Sequence, residues 1–558
     1  NERSRTRGTF RRMRRMRPRL KSVTRDRCEV AIVGSGFAAS LLARILARLG
    51  YATVLLERNR HPRFALGEST TPLANLCLER LSRRYGLSDA YDLSAHGRWV
   101  RRFPSLRRGL KRGFTFYRHR AGTPYANDVD NSDRLLVAAS PCAEVADTHW
   151  LREDVDHHFV QEAVAAGVDY RDGVRLEGVE VDRRGVRLRG MRTGKPFALQ
   201  AEILVDGSGA GGFLARHLPI PSALRRTATR SALVYGHFRG ARRFADVARE
   251  QRATLPTGPY PDDLAAVHHC FPKGWMYVLR FDDGVVSAGF LLSSLDGRAI
   301  RTASAGELWH ALLSRYPSIA AQFADARPLF PIGFQPRVQH RLARGAGERW
   351  VLLPHTFAFV DPLFSTGIAW SLIAIERLAL AFEDRRIPNR TVLSRYESCL
   401  SREADQIDHL VSGAYLALAD FNVFVSHAML YFAAVSFAEA RQRLRPDEST
   451  PWEGFLGVDD PLIEPLFRSS SARIRRATGG GRRIATPRDR RAFAEWISGR
   501  IAPRNLADFA NPERRNLYPV DPDVLAERCG LLGLSATEFR AARSRLRGAA
   551  GRQAEPRG

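Results

Sequence analysis

The chain has 558 residues, 44% of them hydrophobic, and a formal net charge of +28 at pH 7. This length allows two or three packed domains, and the apolar share is ordinary for a soluble globular protein. The six cysteines are scattered without a CxxC pair, which argues against a disulfide framework or a zinc site and favours a reducing cytoplasm. The excess of positive charge suggests a polyanionic partner only if the basic residues form a binding surface.

The basic residues are unevenly distributed. Arginine outnumbers lysine 83 to 4 over the chain, and residues 1–27 hold twelve basic residues against two acids. This leader has no helical or strand period, so it is either a disordered basic arm or sequence translated ahead of a true start at Met13 or Met16. Residues 468–491 carry nine arginines around three glycines but no aromatic side chains that could stack on bases, so we expect a solvated loop. No nucleic-acid partner is predicted.

Two further classes of protein are disfavoured. The most apolar stretch, residues 366–382, carries Glu376 and Arg377, so we expect no membrane span. The histidine pairs at 157–158 and 268–269 lack the i, i+4 spacing of a metal site, so no metal is predicted.

The first organised segment has the pattern of a nucleotide site. Residues 28–33 are an apolar run typical of a buried strand, Gly34–Ala39 reads GSGFAA, and apolar residues then recur at helical spacing. Gly34 permits a tight turn, Gly36 lets a diphosphate approach the helix N-terminus, and Ala39 allows close packing. A second strand over 53–56 ends at Glu57, an acid suited to the adenosine ribose hydroxyls. This order predicts a Rossmann-type dinucleotide site, to which we also assign Arg58.

Two later segments could contact a flavin. The strand predicted over 201–205 ends at Asp206-Gly207, and an apolar strand predicted over 349–359 leads into the turn Asp361–Gly367 before a long helix. The backbone N–H groups of Ser365, Thr366 and Gly367 would lie at that helix start, where the macrodipole favours an anion such as reduced flavin or a halide.

These motifs resemble one known family. Gly34–Ala39, Gly67–Pro72, Asp206-Gly207 and Asp361–Gly367 occur in the order and spacing of the flavin-dependent halogenases, closer to the phenol and pyrrole type than to the tryptophan halogenases. The resemblance covers about residues 28–445. It implies an α/β fold with an α+β insert: a Rossmann-type FAD-binding domain of the class A flavin monooxygenase kind, an inserted β-sheet substrate domain and a helical C-terminal region.

The domain boundaries follow from that fold and from the local patterns. We place the FAD-binding domain at 28–385, with the β-rich substrate domain interleaved at about 95–150 and 220–335 and its sheet over the flavin. Residues 275–281 and 285–292 flank the turn Asp282–Gly284 and predict a β-hairpin. Residues 174–188 are also strand-rich, with a turn at 182–185. Residues 386–558 are expected to be a helical region, in which an aromatic stripe over 415–437 indicates core packing more than a substrate pocket.

The resemblance also assigns roles to residues. It implies that FAD is held by Gly34, Gly36, Glu57, Asp361 and Arg152, and that the turn at Gly367 binds the halide. We place Ala39, Ser69, Asp206, Gly207 and Pro362 in the same cofactor site.

Lys111 is the candidate catalytic residue. In the halogenase family, reduced FAD, oxygen and chloride or bromide give hypohalous acid, and a lysine presents the electrophile to an electron-rich ring. An arginine cannot replace this amine because its guanidinium stays protonated. Among Lys21, Lys111, Lys195 and Lys273, only Lys111 lies in a segment that resembles the family's lysine segment. A surface lysine beside a basic run is the other interpretation.

Two positions depart from the family pattern. The WxWxIP motif falls on residues 275–280, where Trp275 is kept but Tyr277 replaces the second Trp and Leu-Arg replaces Ile-Pro. Phe364 stands where tryptophan halogenases have a glutamate. We assign Trp275 and Tyr277 to the substrate pocket, although both could serve only sheet packing.

The sequence therefore predicts a halogenase-like enzyme. It would use reduced FAD to halogenate a phenolic, pyrrolic or carrier-bound aromatic substrate. The reduced FAD would come from a separate flavin reductase, because no second nucleotide fingerprint for NADH is visible in the sequence. A monooxygenase or reductase of the same fold without halogenation is the alternative. A flavoprotein that binds polyanions through basic termini is a third.

Overall fold

The computed structural model describes residues 26–293, 304–481 and 484–552. The basic leader therefore lies outside the described residues except for its last two. The helices are α1 Phe37–Arg48, α2 Pro72–Tyr85, α3 Ser88–Asp92, α4 His96–Arg102, α5 Arg152–Ala165, α6 Phe213–His217, α7 Phe244–Glu250, α8 Ala305–Ser314, α9 Pro317–Gln322, α10 Pro354–Phe357, α11 Thr366–Ala381, α12 Arg390–Ala417, α13 Phe421–Leu444, α14 Glu464–Ala477, α15 Pro487–Ile501, α16 Pro522–Glu527 and α17 Ala536–Arg552.

The strands form two large sheets and two small ones. They are β1 Arg27–Val33, β2 Thr53–Leu56, β3 Arg108–Lys111, β4 Gly113–Arg118, β5 Arg134–Ala138, β6 Asp147–Trp150, β7 Asp169–Arg171, β8 Val174–Asp182, β9 Gly185–Arg192, β10 Lys195–Asp206, β11 Ala232–Arg239, β12 Ala266–Phe271, β13 Gly274–Arg280, β14 Val286–Leu292, β15 Arg327–Pro328, β16 Gly333–Gln335, β17 His340–Arg341, β18 Trp350–Leu352, β19 Ala358–Phe359 and β20 Leu517–Tyr518.

The first sheet is the predicted nucleotide fold. Its order is β7-β2-β1-β10-β9-β8, with β18 also beside β10, and the strands β7, β2, β1, β10 and β18 are parallel. Apolar strand β1 is buried between β2 and β10, as expected for a central parallel strand. The segment predicted to be strand-rich at 174–188, with its turn at 182–185, lies in this sheet as the hairpin of β8 and β9.

The second sheet contains the predicted hairpin. Its order is β15-β11-β14-β13-β12-β4-β5-β20, with β16 beside β11. Strands β13 and β14 pair antiparallel across a turn where Gly284 has φ +83°, which confirms the hairpin. All strands of this sheet except β20 fall within 95–150 or 220–335. On β13, Trp275, Tyr277 and Leu279 face the first sheet's core, while Met276 and Val278 join a second apolar cluster behind the sheet.

Two local predictions were wrong. The strand expected over 349–359 is divided into the short strands β18 and β19, because Pro354 has no amide hydrogen for a sheet and begins helix α10 between them. The loop expected over 468–491 is mostly helical, since α14 and α15 occupy most of that range. Leu466, Phe467 and Ile474 recur at helical spacing and are buried, and this spacing outweighs the arginines on the exposed face.

Two helices in the described part of the chain are long and apolar enough to cross a membrane by composition. They are residues 363–381, with a mean hydropathy of 1.4, and α13, with a mean hydropathy of 1.5. In the most apolar 18 residues of these helices, 89% and 67% of the residues, respectively, are buried inside the protein. Both belong to the main apolar core, a place that also requires an apolar helix. The aromatic side chains predicted to be core on α13 are buried there, including Phe424, Tyr431 and Phe432.

Candidate functional site

A cavity of about 390 Å³ lies between the two sheets, within the range of small-molecule sites. Its wall combines the loop after β1, the Gly67–Pro72 segment, the end of β10, the inner face of the second sheet and the start of α11. The sequence-predicted residues that line it are Gly36, Ala39, Ser69, Arg152, Gly207, Trp275, Tyr277, Asp361, Pro362, Ser365 and Gly367.

The glycine turn after β1 is shaped by close backbone packing. Gly34 has φ +88°, and a Cβ there would lie 2.5 Å from the carbonyl oxygen of Gly207, so no other residue fits. Gly36 precedes α1, and a Cβ on Gly207 would lie 3.0 Å from Ala39 Cβ. The turn thereby places the N-terminus of α1 against the cavity, where backbone N–H groups and the helix dipole favour a diphosphate.

Four predicted cofactor residues do not line the cavity: Gly34, which shapes the turn behind it, Glu57, Arg58 and Asp206. Glu57 ends β2 as expected, but its carboxylate accepts hydrogen bonds from the Ser35 backbone N–H (3.0 Å), Ser35 Oγ (2.8 Å) and the Asn59 N–H (2.9 Å). Burial raises the pKa of Glu57, but Arg63 and these hydrogen bonds outweigh burial and hold it below its usual range. Arg58 is exposed beside it. Asp206 accepts hydrogen bonds from Ser208 and from the Leu214 N–H, and so closes the turn after β10.

Arg152 lines the cavity but is already largely committed. Its guanidinium forms a fork with Asp156 at 2.8 and 2.9 Å, and Nη1 donates to the carbonyls of Leu66 and Gly67. Four of its five N–H groups are thus used, and the fifth, on Nη2, belongs to the atom 3.6 Å from the Cβ position of Gly36. Arg152 therefore ties the Gly67–Pro72 wall to α5 and can offer one hydrogen bond at the glycine turn.

Asp361 is the centre of a buried hydrogen-bond network. Its carboxylate accepts from Ser231 Oγ (2.7 Å), from the Tyr415 hydroxyl (2.8 Å) and from the Leu363 N–H (3.1 Å). Burial raises the pKa of Asp361 to about 6 even though these hydrogen bonds oppose the shift. The Tyr415 hydroxyl also accepts from the Trp275 indole N–H (3.1 Å), so helix α12 fixes both the turn and the sheet that faces it.

The turn before α11 is strained. Phe364 and Ser365 have φ of 68° and 54°, a left-handed conformation that residues with side chains adopt at a cost. The turn lets the first residues of α11 begin at the cavity wall, where the first-turn N–H groups of a helix have no partner within that helix. His355 also faces this helix start: its buried Nε2 has no hydrogen-bond partner in the described part of the chain and lies 2.8 Å from the Cβ position of Gly367.

Lys111 lies behind the wall and does not line the cavity. Its side chain is completely buried, Nζ donates to the Thr70 carbonyl at 2.5 Å, and Nζ stands 4.0 Å from the ring centre of Phe114. Ser69, the residue before Thr70, is part of the cavity wall, and its Oγ accepts a hydrogen bond from Ser365 Oγ at 3.1 Å. Thr366 is likewise buried but does not line the cavity.

Several residues of the site could not be found from sequence motifs. His355 lines the cavity from a segment predicted only as strand, and Tyr415, from a segment predicted only as helix, hydrogen-bonds to Asp361 in the cavity wall. Asp147 lies opposite Lys111 through a strand pairing that the sequence did not indicate. The aromatic stripe that includes Tyr415 was the one available signal. Among the described residues, no group of three His, Cys, Asp or Glu side chains is placed to hold a metal ion.

Comparison with known proteins gives the family context. No protein-family model matches the chain. The chain is 26% identical over 505 residues to the monodechloroaminopyrrolnitrin halogenase PrnC of Pseudomonas fluorescens, covering 84% of this chain and 86% of that protein. It is 28% identical over 422 residues to the tetracycline 7-halogenase of Kitasatospora aureofaciens, covering 73% of each.

Over most of its length the chain is similar to flavin-dependent halogenases. The structure of the halogenase PltM in complex with phloroglucinol and FAD has the same fold, with a TM-score of 0.78 at 24% identity, covering 88% of this chain and 99% of that one. The halogenase resemblance and the α/β fold predicted from sequence are confirmed.

The residues that line the cavity fit FAD. The glycine turn and the start of α1 suit a diphosphate, the strained turn and the start of α11 suit an anionic ring edge, and the His355 Nε2 offers an unused polar atom between them. Trp275, Tyr277 and Leu279 supply the flat apolar face opposite.

Proposed function

We propose that this protein is a flavin-dependent halogenase that uses reduced FAD, dioxygen and chloride or bromide to halogenate an electron-rich aromatic substrate. One observation carries the proposal: a single cavity is lined by the glycine turn before α1, the start of α11 and the sheet face that holds Trp275. Lys111 is hydrogen-bonded to Thr70, the residue that follows Ser69 of the cavity wall. The homology to halogenases along most of the chain supports it.

The chain's own residues would hold the cofactor at both ends. Gly36 and the start of α1 would receive the diphosphate, with the remaining N–H of Arg152 beside them. The start of α11 and His355 would contact the ring end, where the helix dipole stabilises negative charge on reduced flavin and on a halide. When bound, reduced FAD supplies the electrons that activate dioxygen toward halide.

Lys111 would carry the halogen to the substrate. In the first step a neutral Lys111 amine reacts with hypohalous acid: a nitrogen–halogen bond forms, and the oxygen leaves as water with one amine proton. In the second step the nitrogen–halogen bond breaks as the ring carbon binds the halogen, and the proton lost from the ring returns to the amine. Burial lowers the pKa of Lys111 to about 8, although Asp147 opposes the shift, so the amine is partly neutral near physiological pH. The Thr70 carbonyl holds the amine in place.

The partners follow from this chemistry. The substrate is a phenolic, pyrrolic or carrier-bound ring, and a separate flavin reductase supplies reduced FAD in the cytoplasm. Relatives with named substrates include a brominase of pyrrole-2-carbonyl bound to a peptidyl carrier protein, from Pseudoalteromonas luteoviolacea, at 20% identity.

A second candidate is oxygenation without halogenation. Tyr277 lines the cavity where the family has a second tryptophan, and Arg280 takes the place of the proline, donating to the carbonyl of Ala241 at 2.9 Å. These changes alter the face that would shield the flavin from an oxygen-accepting substrate.

The test supplies purified protein with a flavin reductase, NADH, FAD and bromide, and offers phenols, indoles and pyrroles both free and carrier-bound. Mass spectrometry should find brominated products that disappear in Lys111→Ala. Hydroxylated products alone would reject halogenation and favour the second candidate. Brominated products that persist in Lys111→Ala would instead reject the role of the lysine.

A further inference from the structure

A second ionisable group lies beside Lys111. Strands β3 and β6 form a two-stranded antiparallel ribbon in which Lys111 stands directly opposite Asp147. Side chains directly opposite one another project from the same face of a ribbon, with Cβ atoms about 5 Å apart. Both side chains are buried, at 0% and 1% exposure, so solvent cannot screen the charges.

The surroundings fix each group separately. Asn75, on α2, donates from Nδ2 to Asp147 Oδ1 at 2.8 Å, while Asp147 Oδ2 has no hydrogen-bond partner among the described residues. The Lys111 amine donates to the Thr70 carbonyl and lies over the Phe114 ring. We call these five residues the lysine cluster. The pair does not form a direct ion contact within 4 Å, so neither group is neutralised by a fixed salt bridge.

The other groups that face the pair come from three elements. His149 on β6 and His268 on β12 lie near Lys111, and burial lowers the pKa of both to about 3, so they stay neutral. Glu439 and Arg443 on α13 act on Asp147 with opposite signs and hydrogen-bond each other at 2.6 Å. Asp147 is therefore the one carboxylate in the described residues that acts on the Lys111 charge.

We propose a proton partnership in which Asp147 is a positioning residue: its buried charge sets how readily the Lys111 ammonium loses the proton that blocks reaction with the halogen. The proposal rests on the proposed function. Asp147 does not touch the amine and acts on it through its charge: an ionised carboxylate favours the ammonium, and the amine loses its proton more readily when Asp147 is itself protonated. No other reactant is needed, and the later steps at the amine leave Asp147 unchanged.

Burial acts on both groups. Removing both groups from water penalises their charged forms, which lowers the pKa of Lys111 to about 8 and raises the pKa of Asp147 to about 7. Because each group acts on the charge of the other, the protonation of one depends on the protonation of the other. Such a pair releases its protons in two steps that belong to both groups.

The test measures the titration of the lysine directly. Because the chain has only four lysines, protein labelled with 13C at lysine Cε gives at most four signals, and Lys111→Gln identifies that of Lys111. In the unaltered protein this signal should move in two steps between about pH 6 and pH 9. A single step would overturn the proposal, even if no Asp147 variant folds.

Asp147→Asn keeps the size of the side chain and its contact with Asn75. The variant should shift the Lys111 titration down by about one pH unit or more, because an opposite charge is lost. Because the amine is then neutral at lower pH, the pH dependence of halogenation should shift down by a similar amount, and Asp147→Glu should restore part of the shift. In Glu439→Gln, the matched control, the titration should move by less than about half a unit.

The two proposals fail in different ways. An unchanged Lys111 titration in Asp147→Asn would reject the proton partnership whether or not the enzyme halogenates. A shifted titration in an enzyme that yields only hydroxylated products would reject the proposed function but leave the pairing of the two groups established.

Discussion

The cavity and the lysine cluster are built in different ways, although a single short segment separates them. The cavity is shaped largely by backbone: a glycine turn, two helix starts and a strained turn at Phe364 and Ser365. The lysine cluster is built mainly by side chains that three stretches of the chain, residues 70–75, 111–114 and 147, bring together. A site shaped by backbone conformation requires particular residues at fixed spacings in the sequence. The lysine cluster requires only that the tertiary structure bring its residues into contact, whatever their spacing.

The largest effect is expected at the glycine turn. Gly34→Val would force a left-handed residue to carry a branched side chain and would place its Cβ 2.5 Å from the Gly207 carbonyl oxygen. Strain and overlap together should cost about 3 kcal/mol or more of unfolding free energy and abolish FAD binding. Thermal unfolding and the flavin absorbance of purified protein measure both. Gly178→Ala, in open space, is the control, and a Gly34→Val protein that retains flavin would show that the turn is adaptable.

A second substitution should separate the two regions. Lys111→Met keeps the length of the side chain but removes the amine, so halogenation should fall by about a hundredfold or more while FAD affinity stays the same. Flavin fluorescence titration and product formation measure these independently. The exposed Lys195→Met serves as the control. A parallel loss of FAD affinity would mean that the cluster and the cavity are one unit.

The smallest effect concerns the link between the cavity wall and the second sheet. His237 on β11 lies 2.9 Å from Glu68, a residue of the wall. Burial alone would lower the pKa of His237, but the hydrogen bond and charge of Glu68 raise it above its usual range. The stabilisation is therefore fully present below about pH 6.5 and is lost as pH rises through the raised value.

Urea unfolding tests this link. Glu68→Gln should lose about 1 kcal/mol relative to the unaltered protein at pH 6 and much less at pH 9. Glu250→Gln, which breaks an exposed pair with Arg242, should show no such pH dependence. A deficit that grows with pH would contradict the assigned direction.

The same contrast explains what sequence could and could not predict. The fold and the order of the cavity segments follow from local patterns, since the β1–α1 turn and the β13–β14 hairpin each lie within about thirty residues. Asp147 stands 36 positions from Lys111 and Tyr415 stands 54 from Asp361, and neither Asp147 nor Tyr415 lies in a sequence motif. Glu57 and Asp206 lie at the ends of strands, as the sequence predicts, but their carboxylates already accept hydrogen bonds from nearby backbone N–H groups.

The helical region that follows residue 386 has a consequence for protein engineering. Tyr415 supplies a donor to Asp361, Tyr431 donates to the Phe364 carbonyl at 2.8 Å, and β20 pairs with the edge strand β5. A chain cut before α12 would strip these partners from the turn at the cavity and from the second sheet. The flavin-binding part is therefore not a detachable module, and a chimera that exchanges substrate preference must transplant the helical region together with the turn it completes.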